Sequence, residues 1–304
     1  MTQEAKLNLP RLLVIGAGGF LGSYVVTWGR RDFQVIRADR ERRNDETDVA
    51  LDITDGGSVR NAMYASRPDA VILLAAIADI DRCQREPKLA VAVNLEGAKY
   101  VAENCAEIGA RLLFTSTGAV FDGLKEGYRE EDELNPVSIY GQTKAHAEIV
   151  VRALAPDSII VRPSLVLGRS KRAATNSLVD GMISRWKAGE VVAASVSEFR
   201  NPIDAETLSQ WILQLIKNEN AQGIFHAGSK NVLTRYEIAQ ALGARLNIPQ
   251  HQIQPEQQSK PGRAPRGPHH FLLTNKIDRA GGIQAPSCEM VIERSLHEVA
   301  QSGI

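Results

Sequence analysis

Tyr140 and Lys144 stand four residues apart in Tyr140-Gly141-Gln142-Thr143-Lys144, within a stretch of helical character, so both side chains leave one helix face. A phenol with a pKa near 10 is a poor acid or base at neutral pH unless a nearby cation stabilises its anion. Lys144 is placed to be that cation. Thr117 closes the run Thr115-Ser116-Thr117, and its hydroxyl is expected to hydrogen-bond a reacting oxygen or the tyrosine. The chemistry implied is hydride transfer to or from a carbonyl or alcohol carbon, with Tyr140 exchanging the proton. Helices contain isolated Tyr-x-x-x-Lys pairs by chance, so the pair draws its meaning from a motif upstream.

That motif is Gly16-Ala17-Gly18-Gly19-Phe20-Leu21-Gly22, directly after the apolar run Leu12 to Ile15. Glycines at 16, 19 and 22 suit a tight turn, close backbone approach to a pyrophosphate, and close packing of helix on sheet. The helix that follows offers unpaired N–H groups and a positive dipole end to phosphates. Phe20 and Leu21, in the same turn, are expected at the cofactor. The spacing differs from G-x-G-x-x-G, and no Lys-Ser/Thr pair follows as a P-loop needs. Asp39, ending the second strand, can accept from both adenosine ribose hydroxyls, which leans to NAD. Arg37, Arg40, Arg42 and Arg43 surround it, and a guanidinium there would hold the 2′-phosphate of NADP. Asp52 and Ile53 either cover the adenine or belong to a helix cap.

These residues need a scaffold, and short apolar runs alternating with helical periodicity predict a parallel sheet wound on both faces. Strands are expected at Leu12–Ile15, Phe33–Arg37, Val49–Leu51, Ala70–Ala75, Arg111–Thr115 and Ser158–Val161. Helices are expected near Leu21–Gly29, Ser58–Ser66, Lys88–Ile108 and from Ser138 towards Leu154. Asp122 to Pro136 reads as a polar loop whose acidic run Glu130-Glu131-Asp132-Glu133 is solvated. Beyond Gly168 the pattern is less regular. Helices are expected at Leu178–Lys187, Ala205–Lys217, Arg235–Leu246 and Cys288–Ala300, with strands at Val191–Ala193 and Gly223–His226. Gln257 to Pro268 reads as a loop. The expected organisation is a Rossmann-type cofactor lobe over 1–165, with part of 200–228 packing back on it. Residues 166–199 and 229–304 then form a smaller mixed α/β substrate lobe.

Length and composition bound the answer. The 304 residues suffice for a large core, and 36 basic against 36 acidic side chains give zero formal net charge. That balance argues against a whole-molecule hold on nucleic acid or on an anionic membrane. No apolar run approaches the ~20 residues of a membrane span, and the polar N-terminus lacks an apolar secretion signal. Three scattered cysteines support neither a disulfide framework nor a metal knuckle. The histidines show no ligand spacing, and His269-His270 read as solvated loop residues. Trp186 and Trp211 read as core. The expectation is a cytoplasmic protein without metal, for which a homodimer is an admissible assembly.

With these motifs the chain resembles an extended short-chain dehydrogenase/reductase, and within that superfamily the dTDP-4-dehydrorhamnose reductases. The resemblance rests on the glycine run, Glu86-Pro87 with Val93-Asn94-Leu95-Glu96-Gly97, Val120-Phe121-Asp122-Gly123, and Asn135-Pro136-Val137-Ser138-Ile139-Tyr140-Gly141. It extends through Arg162-Pro163-Ser164, His226-Ala227-Gly228 and the segment from Lys260 to Lys276. It implies Thr117, Tyr140 and Lys144 as a catalytic triad. It further implies a cofactor lined by Ala75, Ala76, Ile77, Thr115 and Pro163, and a nucleotide-linked sugar ketone as substrate. Lys260, Arg263 and Arg266 either contact a substrate diphosphate or form a basic solvated loop. The family pattern has Asp-Tyr after the threonine where this chain has Gly118-Ala119. The alternatives are an epimerase or dehydratase with tightly held NAD, and a cofactor-binding regulatory subunit without turnover.

Overall fold

In the computed structural model, which describes residues 9–41, 48–170, 177–257 and 262–297, seven parallel strands form one sheet. In spatial order they are Gly223–Ala227, Ile159–Pro163, Arg111–Thr115, Ala70–Leu73, Arg11–Ile15, Gln34–Asp39 and Val49–Ala50. The central strands read as unbroken apolar runs because both faces are covered. Leu12 and Val14 join one core cluster, while Leu13 and Ile15 join the other. The first cluster lies under the helices Phe20–Gly29 and Ala205–Lys217, the second under Gly56–Ser66, Gly97–Ile108 and Ile139–Leu154. Trp211 is fully buried in the first, its Nε1 donating to the Ile283 carbonyl at 2.8 Å.

Strand order reverses between Arg11–Ile15 and Ala70–Leu73, so the loops after these two strands diverge and leave a crevice at their carboxyl ends. The glycine loop and residues 74–79 are those two loops. They touch: a Cβ at Gly16, whose φ is +89°, would lie 2.7 Å from the Ala75 nitrogen. A Cβ at Gly22 would meet the Gly16 carbonyl oxygen at 2.2 Å, so the first helix crosses its own entry loop only with glycine there.

After the sixth strand the chain leaves the sheet and builds a third core around Met182, Trp186, Ile238, Leu242, Val291 and Ile292. It returns once, through Gly223–Ala227, to extend the sheet beside Ile159–Pro163. The short pairings of this half are Leu165–Leu167 with Pro202–Asp204, Val192–Ser195 with Ile253–Glu256, and Phe199–Arg200 with both Leu233–Thr234 and His269–His270. At two to four residues they are too short for a period to register, and most were not expected.

Several boundaries differ from expectation for physical reasons. The helix expected over Lys88–Ile108 begins at Pro87 and is interrupted by a π-helical segment, Ala92–Glu96, which aims Asn94 inward. A helix at Ile80–Arg85, capped by Asp79, was not expected. His269 and His270 are not solvated. His269 stacks on Phe199 with ring centroids 4.7 Å apart, and burial pushes the His270 imidazole down to about 3. In the acidic run Glu130 is half-buried and accepts from the His226 N–H at 3.1 Å, while Glu131 and Glu133 are exposed.

Candidate active site

Ser138 fixes the start of the helix Ile139–Leu154 by accepting the Gly141 N–H at 3.2 Å. Tyr140 and Lys144 follow within the first two turns, both buried. Gly141 lets the helix approach the turn at 118–120, since a Cβ there would lie 2.2 Å from the Ala119 carbonyl oxygen. Thr117 caps that turn, accepting the Ala119 N–H at 3.1 Å. Tyr140 and Thr117 therefore meet at the carboxyl end of the strand Arg111–Thr115, and Lys144, one turn on, lies against Phe114 of that strand.

Burial pushes the Tyr140 phenol up to about 12, and the adjacent Thr117 hydroxyl opposes the shift. Burial pulls the Lys144 ammonium down to about 7, with the charge of Glu148 one turn on opposing it. The Lys144 nitrogen lies 4.0 Å from the Phe114 ring centroid. Desolvation dominates both groups, so the phenol stays protonated at neutral pH and the ammonium holds its proton weakly.

Asn94 was quoted for resemblance but given no role by sequence reasoning. Its Oδ1 accepts the Ile77 N–H at 2.8 Å, and its Nδ2 donates to the Ile77 carbonyl at 3.1 Å and the Thr143 hydroxyl at 3.3 Å. It thus ties the loop carrying Ala75, Ala76 and Ile77 to the helix carrying Tyr140. A buried asparagine inside a π-helical segment is the signal, and only the backbone shows that segment.

On the cofactor side, the first helix suits a diphosphate. Its N-cap, Gly19, offers no side chain to the open amides, and the first turn holds no acidic residue to compete with an anion. Asp39 accepts the Gly18 N–H at 2.8 Å, so its carboxylate is at the loop. Arg40 is exposed near Glu41, Arg37 pairs with Asp48 at 2.7 Å, and Arg42 and Arg43 lie outside the described residues. Other expected contacts have protein partners: the Thr115 hydroxyl donates to the Leu73 carbonyl at 2.9 Å, and Asp52 accepts from Thr54 at 2.9 and 2.7 Å. Ile53 is buried under Gly97. Pro163 closes its strand opposite Ala227.

Beyond Ile77 the crevice opens into a cavity of about 560 Å³ between the sheet's edge and the second half of the chain. Arg263 and Arg266 line it, while Lys260 lies outside the described residues. Arg263 pairs with Glu198 at 2.7 Å, and Arg266 with Asp81 at 2.9 Å. Where relatives of the resembled type carry Asp-Tyr, Gly118 faces Leu272, whose Cδ1 would lie 3.2 Å from an added Cβ. Ala119 packs among Tyr140, Ile77 and Ile80.

Sheet, crevice and tyrosine–lysine helix together define an extended short-chain dehydrogenase/reductase architecture. The chain belongs to the RmlD substrate binding domain family, which matches residues 10–301. It is 29% identical to a dTDP-4-dehydrorhamnose reductase of Mycolicibacterium smegmatis, over 92% of this chain and 83% of that one. A solved dTDP-4-dehydrorhamnose reductase from Bacillus anthracis, in complex with NADP, superposes with a TM-score of 0.85 at 27% identity, covering 94% of this chain and 98% of that chain. The methionine adenosyltransferase 2 subunit beta of Bos taurus is 24% identical over 96% of this chain and 90% of its own length. Among the described residues no helix is long and apolar enough to cross a membrane.

Proposed function

We propose that the protein is an NAD(P)-dependent reductase of a nucleotide-linked sugar ketone, similar to the dTDP-4-dehydrorhamnose reductases it resembles. The observation that carries this reading is the buried Tyr140 phenol beside the Thr117 hydroxyl at the carboxyl edge of the sheet, with buried Lys144 one turn on along the same helix. When bound, the reduced nicotinamide supplies a hydride to the carbonyl carbon. Tyr140 gives its proton to the carbonyl oxygen, Thr117 orients that oxygen, and Lys144 stabilises the phenolate left behind. A phenol near 12 is fully protonated at neutral pH, which is the state that reduction requires; oxidation would require the phenolate. The open amides after Gly19 take the cofactor diphosphate, and Asp39 takes the adenosine ribose, with preference for NAD.

The test is oxidation of NADH and NADPH, followed by absorbance, with a panel of nucleotide-linked 4-keto sugars. Tyr140→Phe is expected to lower kcat about 10²- to 10⁴-fold with unchanged cofactor affinity. A variant as active as the parent would remove Tyr140 from the reaction. The likeness to methionine adenosyltransferase 2 subunit beta supports a second reading, a cofactor-binding subunit without turnover. Cofactor binding with no turnover on any carbonyl would favour it.

A further inference from the structure

Arg37 and Asp39 lie two residues apart on the strand Gln34–Asp39. Side chains alternate across a strand, so these two leave one face, while Ile36 and Ala38 enter the core on the other. Asp39 reaches the glycine loop from that face, accepting the Gly18 N–H at 2.8 Å. The Cα of Arg37 stands roughly 7 Å back along the strand from that of Asp39, a separation an extended arginine side chain can span. A guanidinium brought to that place is what the 2′-phosphate of NADP needs.

Asp48 holds that guanidinium instead. It stands immediately before the edge strand Val49–Ala50, and its own N–H donates to the Arg37 carbonyl at 2.9 Å. Its Oδ2 accepts the Arg37 backbone N–H at 2.8 Å and the Nε–H at 3.1 Å, and its Oδ1 accepts Nη2–H at 2.7 Å. This is the two-pronged geometry in which arginine also grips a phosphate, so carboxylate and phosphate compete for the same donors. The Arg37 side chain is 18% exposed, and its charge and hydrogen bonds hold the Asp48 carboxyl below the usual carboxylate range. Arg40, by contrast, is 74% exposed, and its guanidinium stands 3.8 Å from Glu41.

We propose that Asp48 sets the cofactor choice of this protein, withholding Arg37 from a 2′-phosphate and leaving the charge of Asp39 to select NAD(H). This rests on the NAD(P) reading above and names the residue that decides between the two cofactors. Asp48 is a positioning residue, because it acts through Arg37 and not by touching the cofactor. A merely structural role is the alternative to beat: the same contacts pin a two-residue edge strand to its neighbour. That role serves both cofactors alike, since they share the adenosine and differ only at the 2′ position. Discrimination between them is therefore the property that separates the two roles.

Fluorescence titration of the full chain with NADH and NADPH tests this, using the parent, Asp48→Asn, Arg37→Gln and the double variant. Asparagine keeps an oxygen to accept the Arg37 backbone N–H but carries no charge, and its second polar atom is a donor. The parent is expected to bind NADH more tightly than NADPH. Asp48→Asn is expected to move the affinity ratio about 10-fold towards NADPH, and Arg37→Gln to cancel that shift in the double variant. A parent that prefers NADPH overturns the proposal, as does an unchanged ratio in Asp48→Asn; the NAD(P) reading survives both. Equal weakening of the two cofactors also overturns it, because a structural role predicts that pattern. A shift that persists in the double variant overturns the part given to Arg37, and with it the proposal. A parent that binds neither cofactor overturns both the proposal and the reading on which it rests.

Discussion

Arg162 and Lys144 are both buried cations near the helix Ile139–Leu154, and the helix treats them oppositely. Glu148 stands one turn after Lys144 on that helix, in a position often used for an ion pair. Its carboxylate turns to Arg162 instead, accepting Nε–H at 2.9 Å and Nη2–H at 2.6 Å, with both side chains 1% exposed. Arg162 is satisfied further by the Glu130 carbonyl at 3.2 Å and by the His226 ring, whose Nε2 lies 3.3 Å away. Burial and the Arg162 charge push His226 down to about 3, so it is a neutral acceptor at ordinary pH. Among the described residues Lys144 has the Phe114 ring and the more distant attractions of Glu148 and Cys83. The difference separates structure from chemistry. The buried cation with a bidentate partner is held in place, and the one without such a partner is the one that the proposed reaction sets against the charge developing on Tyr140.

The largest effect expected from breaking this contrast is on the satisfied side. Glu148→Ala strands the Arg162 guanidinium and should cost about 3–5 kcal/mol of stability, read by urea denaturation. A loss below about 1 kcal/mol would show that the pair is not what holds this region. The same variant removes an attraction acting on Lys144, so any folded population should have a Lys144 pKa lower still.

The unsatisfied side should respond with the opposite sign. Lys144 has a folded pKa of about 7 against an ordinary 10.5, so between those values the native state binds fewer protons than the unfolded chain. Stability therefore rises with pH across that window, and the cost of Lys144 is fully present below about 7. Lys144→Met is expected to abolish turnover and to gain about 2 kcal/mol at pH 6. The gain should shrink towards pH 10.5, as denaturation at several pH values would show. A destabilised Lys144→Met at pH 6 would mean that the ammonium has a structural partner.

The two cations also mark what the sequence could reveal. Tyr140 and Lys144 were visible because four residues on one helix define a face whatever the fold does. The glycines at 16, 19 and 22 were visible because a strand, a tight turn and a helix start are consecutive in sequence. The Arg162–Glu148 pair was not, since fourteen residues and a strand–helix packing separate its members. Arg263 and Arg266 could be seen as basic but not as neutralised, because Glu198 and Asp81 reach them only in the folded chain.

The smallest expected effect concerns an anion at the glycine loop, Asp39. Asp39 accepts the Gly18 N–H at 2.8 Å, which brings its carboxylate to the glycine loop, where the proposed function puts the adenosine ribose. A carboxylate has about four lone-pair sites, so accepting an amide is compatible with accepting ribose hydroxyls. The same negative charge repels a 2′-phosphate. Removing it should therefore weaken NADH and relieve NADPH at once, whereas the basic side chains nearby remain. Asp39→Ala is expected to move the ratio of NADPH to NADH affinity about tenfold towards NADPH, roughly 1.4 kcal/mol, measured by fluorescence titration of both cofactors. Loss of the Gly18 contact would loosen the loop for both alike, so only the ratio reports on the ribose. An unchanged ratio would confine Asp39 to holding the loop and leave cofactor choice to the arginines around it.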